Sequence, residues 1–209
     1  MFIKEVINWY LKYYVSLTNQ GDNDLRSNYN GTSSSFDKAE LLLMGNHQWY
    51  LNVFHKNIML NVINYLIKTK PWLKTYKNCC FEDVYKDVLL LKGPYIQQLT
   101  IYDIALRIAI VKNQINLLPS KYVYLHATPM AAYKWLYKNG VVLLKIKGFK
   151  AIIDISSFMG VFNPLDARQI EDMLCHLEKG IIRRKKGNQF KSIDVKDVEL
   201  DNIFKKYFP

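Results

Sequence analysis

The sequence predicts an α-rich fold (mainly α, α+β), a helical domain carrying a small β element around residues 121–155. Three observations predict it. Apolar residues recur at helical spacing through most of the 209 positions. Capping-box patterns, in which a short polar side chain is followed three residues later by an acid, mark helix starts. Short runs of strand-like β-branched and aromatic composition at 122–125 and within 141–155 add a small β element.

In chain order, Phe2, Ile3, Val6, Ile7, Tyr10, Leu11, Tyr14 and Val15 form a wide apolar stripe and predict an amphipathic helix. Residues 18–36 are dominated by Asn, Gly, Ser and Asp, which predicts a flexible loop. Asp37 with Glu40 has capping-box form and predicts a helix start. Leu51, Phe54, His55, Ile58, Val62, Ile63 and Leu66 keep helical spacing until Pro71 stops it. Phe81, Val84, Val88 and Leu91 make the next face, and Gly93-Pro94 interrupts it. Thr100 with Asp103, framed by Leu99 and Ile104 as a hydrophobic staple, predicts a helix from Thr100 to about Lys112.

Tyr122-Val123-Tyr124-Leu125 predicts a short strand. Thr128-Pro129 fits an N-cap and first helical position, and Asn139-Gly140 a stop. The runs 141–146 and 149–155, around Lys147-Gly148, predict a β-hairpin. Asp166 opens a helix with Ala167, Ile170, Leu174 and Leu177 on one face and Gly180 beyond its end. A last short helix is predicted near 194–207. The chain has no internal repeat and reads as a single domain over 1–209, with a basic C-terminal tail over 181–209.

Composition narrows the function. Half of the residues are hydrophobic and 14% aromatic, enough to bury a full core. The N-terminus lacks a signal-peptide pattern, and no apolar run reaches the ~18 residues of a membrane span. Three cysteines make no disulfide framework, so a reduced, cytoplasmic setting is expected. The formal charge is +11, and from Ile104 to Ile153 there is no acidic residue at all but eight basic ones. A long single-sign stretch makes a field that gathers polyanions, so the expected partner is nucleic acid, DNA or RNA, held mainly through its phosphates. Lys145, Lys147 and Lys150 around the predicted hairpin, and Arg183, Arg184, Lys185 and Lys186 in the tail, are the expected contacts.

Residues 81–112 resemble the helix-hairpin-helix module of DNA repair and recombination proteins, through Leu91-Lys92-Gly93 at the turn and Thr100 to Ile108 as the second helix. The resemblance implies that turn amides at a helix N-terminus hold a phosphate and adds Lys92, Gly93 and Arg107 to the expected contacts. A second resemblance covers 122–140. Tyr124-Leu125-His126-Ala127-Thr128 followed by a helix is similar to the first motif of ADP-ribosyltransferases and RNA 2'-phosphotransferases. It implies an alternative function, an NAD-dependent ADP-ribosyl- or phosphotransferase-like enzyme in which His126 binds the cofactor. A protein-interaction subunit without catalysis is the third reading.

No Walker loop, G-x-S-x-G or H-E-x-x-H motif is present. Cys79, Cys80, Cys175 and His176 lack the ligand spacing of a structural zinc site, so no metal is expected and the thiols read as buried. Glu171, Asp172 and Glu178 read as a solvated helix face.

Overall fold

The computed structural model describes residues 1–45, 56–91, 98–148, 151–158, 160–185 and 194–208. They form nine α-helices and one two-stranded antiparallel sheet, as an α-rich fold with a small β element requires. The helices are α1 (Phe2–Tyr13), α2 (Val15–Gly31), α3 (Ser35–Met44), α4 (Lys56–Thr69), α5 (Phe81–Leu89), α6 (Gln98–Lys112), α7 (Ala127–Lys138), α8 (Ala167–Lys185) and α9 (Val195–Tyr207). The strands are β1 (Tyr122–Leu125) and β2 (Ala151–Asp154). None of the described helices is long and apolar enough to cross a membrane. Where the sequence reads as one domain, the chain divides into two compact units. Unit 1 joins Met1–Thr18 to Ser120–Pro209, and unit 2 is Asn19–Pro119.

Unit 1 brings the two ends of the chain together. The apolar stripe of α1 buries Phe2, Ile3, Val6, Ile7, Trp9 and Tyr10, and α1 packs against α9, where Leu200 and Phe204 face inward. Phe2 sits among Trp135, Phe204, Tyr207 and Phe208 with ring centroids 5.0–5.9 Å apart, in tilted and edge-on arrangements that suit the ring quadrupoles. The rim is polar. The indole of Trp9 donates to the Lys196 carbonyl at 2.7 Å, and Glu5 and Glu199 pair with Lys206 and Lys12. Helices α7 and α8 pack side by side, and β1 lies on α8.

Asp166 caps α8, its carboxylate accepting from the Gln169 amide at 2.8 Å while the Gln169 side chain accepts from the Asp166 amide at 3.1 Å. Ala167, Ile170, Leu174 and Leu177 are buried, as the stripe predicts. The helix does not stop at Gly180. A Cβ there would lie 2.6 Å from Leu200 Cδ2, so glycine serves the close approach of α9 instead of a helix end.

The predicted hairpin does not form. Residues 142–147 have no regular structure, with Val142 buried and Leu143, Leu144 and Lys145 exposed in succession, a pattern without the alternation a strand needs. Instead β2 pairs with β1, Tyr122 opposite Asp154 and Leu125 opposite Ala151. α7 also begins two residues earlier than the sequence reading places it, with His126 at the N-cap position and its carbonyl accepting from the Met130 amide at 2.9 Å.

In unit 2, the segment expected to be a flexible loop is mostly helical. α2 runs to Gly31, with Asp22 and Leu25 buried and the Arg26 side chain donating to the Ile110 carbonyl at 3.0 Å, so tertiary anchoring outweighs a poor local propensity. Ser34, not Asp37, caps α3, its hydroxyl accepting from the Phe36 amide at 3.1 Å and the Asp37 amide at 3.4 Å. Thr100 is likewise not a cap. It is buried inside the first turn of α6, which starts at Gln98. α5 and α6 pack as a pair, and α3 packs on α4 and α6.

Candidate functional site

The end of β1 delivers His126 against α8, because the strand and α7 both lie on that helix. Glu171 and Cys175 stand one turn apart on α8, and residues at this spacing share a helix face. The three side chains converge inside unit 1. His126 Nε2 lies 2.6 Å from Glu171 Oε1, Cys175 Sγ donates to the same oxygen at 3.2 Å, and Sγ is 3.9 Å from Nε2. His126 and Glu171 are each only 7% exposed. Burial pushes the Glu171 carboxyl up from its ordinary value, with the hydrogen bond from His126 opposing it. Burial, with Glu171 beside it, also holds the Cys175 thiol well above its ordinary value, so without a further cation the sulfur stays protonated.

Asp172 and His176 make a second pair at the same spacing. Asp172 accepts from the Tyr10 hydroxyl at 2.8 Å and lies 3.4 Å from His176 Nε2, while the Tyr14 ring stacks on His176 at 3.7 Å. Burial raises the Tyr10 phenol, and the neighbouring Asp172 carboxylate adds to the rise.

No known protein family, curated protein sequence or solved structure matches this chain.

The sequence-predicted residues separate into several groups. Arg107 is not at a surface. It is 7% exposed, donates to the carbonyls of Leu42 at 3.1 Å and Leu43 at 2.6 Å, and lies 3.6 Å from Asp103, so it ties α6 to the end of α3 instead of meeting a phosphate. Lys145 and Lys147 are exposed, as is Lys138 at the end of α7. Arg184 is exposed but donates to the Phe208 carbonyl and lies over the Phe204 ring at 6.0 Å. Arg183 and Lys185 fall within α8, but their side chains lie outside what is described. Lys92, Gly93, Lys150 and Lys186, with the turn of the helix-hairpin-helix resemblance, lie outside the described residues.

His126 faces Glu171 and Cys175, and its sheet has two strands among the described residues. Glu171 is a correction of another kind. It is buried and paired, not part of a solvated face. The i, i+4 spacing of Glu171 and Cys175 was the available signal for it, lacking only the histidine 45 positions away.

Proposed function

We propose that the protein binds nucleic acid through phosphate contacts made by unit 1. That unit holds 18 of the 29 basic residues against 10 of the 18 acids, whereas unit 2 holds 11 against 8. The observation that carries the reading is the segment after α7. Lys138, Lys145 and Lys147 are exposed in a stretch without any acidic residue, and none of them forms an ion pair among the described residues. Leu143, 89% exposed, and Leu144 stand between them, so cations and apolar surface are presented together, which suits a polyanion whose bases also offer apolar faces. The Tyr133 hydroxyl donates to the Leu144 carbonyl at 2.8 Å, which fixes this segment to α7.

Phosphate contacts position a protein without reading sequence. Fluorescence anisotropy with unrelated duplexes and single strands is therefore expected to give similar affinities at low salt. The double substitution Lys145→Ala and Lys147→Ala weakens all of them alike. Absence of association with any of these probes, or unchanged affinity in the double variant, contradicts the reading.

A further inference from the structure

We propose that His126, Glu171 and Cys175 form a binding site for one divalent transition-metal ion of the zinc class. The inference is independent of nucleic-acid binding. Its basis is convergence. A hydrogen-bond relay through histidine uses both ring nitrogens, one for each partner, whereas here the carboxylate oxygen and the sulfur both approach the same nitrogen, Nε2. Three potential ligand atoms from one strand end and one helix turn lie within 4.8 Å of one another, and among the described residues no further His, Cys, Asp or Glu joins them.

The spacing suits a metal with little movement. Bonds of ~2.0–2.3 Å to nitrogen, oxygen and sulfur in a tetrahedron place ligand atoms ~3.3–3.6 Å apart. The sulfur–oxygen and sulfur–nitrogen separations of 3.2 and 3.9 Å bracket that range. The 2.6 Å contact between Nε2 and Oε1 must open most, by roughly 0.7 Å, to admit an ion bonded to both, while the two sulfur separations shift by only a few tenths of an ångström. Glu171 and Cys175 at i, i+4 supply the pairwise helical presentation on which metal sites on helices commonly rest.

The donor set selects the ion. Imidazole with thiolate suits zinc and its neighbours in the transition series, while magnesium and calcium prefer oxygen alone. Charge balance agrees. On binding, Sγ loses its proton to solvent, and a carboxylate plus a thiolate, costly when buried, are neutralised by the 2+ ion. Three protein ligands leave a fourth position for water or a small anion, the arrangement of open rather than purely structural centres.

Cobalt(II) added to the purified full chain tests the site, with Cys79→Ser and Cys80→Ser introduced so that Cys175 is the sole thiol. One equivalent is expected to give a thiolate-to-cobalt absorption band together with the strong visible bands of a tetrahedral ion, both removed by zinc. Cys175→Ser abolishes the charge-transfer band, and His126→Gln or Glu171→Gln weakens binding at least tenfold. A measurement on the unsubstituted cluster guards against variants that fail to fold. Zinc slows alkylation of Cys175 at least tenfold, and a chelator restores the rate. Failure of cobalt to develop the band in the folded protein, or an alkylation rate indifferent to zinc, overturns the assignment.

Discussion

Glu171 Oε1 lies 2.6 Å from His126 Nε2, which joins the second turn of α8 to the end of β1 across 45 positions of the chain. Both partners are buried, so the contact is made where water does not compete with it. Removing one partner leaves the other desolvated. Glu171→Ala is expected to cost about 3 kcal/mol or more in metal-free buffer, the usual cost of breaking a buried pair. Glu171→Gln, which keeps the volume and a hydrogen-bonding oxygen, costs less. Urea unfolding of both variants with a chelator present measures the difference, and equal stabilities would contradict it.

Arg107 has the corresponding role in unit 2. Arg107→Ala removes the donor to the Leu42 and Leu43 carbonyls and the charge 3.6 Å from Asp103, and is expected to cost about 3 kcal/mol or more. Nucleic-acid affinity, measured at a temperature where the variant is folded, stays at the wild-type value. Gly45→Ala probes the same place from the other side, because a Cβ there would lie 2.7 Å from Arg107 Nε on a backbone with φ of +54°.

Gly180 marks where α8 and α9 touch. Gly180→Leu forces a side chain into Leu200 and Phe204 and is expected to cost about 1–3 kcal/mol, the range of overpacked cores. The neighbours share one space, so combining it with Leu200→Ala gives a loss smaller than the sum of the two single losses. A double-mutant cycle by thermal unfolding reads this coupling.

Acid acts on the closure of α1 against α9. The hydrogen bond from Lys206, then that from Tyr207, holds Glu5 below its ordinary 4.5, and Lys12 followed by Tyr13 does the same for Glu199. The folded state therefore binds these protons more weakly than the unfolded chain. The stability they contribute is present above about 4.5 and is lost as pH falls through the lowered folded values. Melting temperature is expected to fall on acidification through this window, and Glu5→Gln with Glu199→Gln to flatten that fall.

The parts of the fold set by local periodicity were legible before the structure. The α1 stripe, the buried face Ala167, Ile170, Leu174 and Leu177, and the strand at Tyr122–Leu125 all follow from spacing and residue type. What local pattern does not encode is what a segment packs against. The Asn-rich stretch before Gly31 looks like a loop until Leu25 and Arg26 find their places, and the partner of β1 looks like half of a hairpin because adjacent strands usually pair. The Glu171 and Cys175 pair was visible as helical spacing, but the third member arrives from β1, and no sequence pattern spans that gap.

The proposed phosphate-binding role of unit 1 is tested most directly by the salt dependence of binding to a short generic duplex. Log affinity is expected to fall linearly with log salt, because each phosphate contact on a duplex releases condensed counterions and contributes about −0.9 to the slope. Lys145→Ala with Lys147→Ala should flatten that slope by about 1.8, two contacts' worth, without altering the melting temperature. An affinity that does not change with salt, or a slope unaffected by removing both lysines, would contradict the proposed interface.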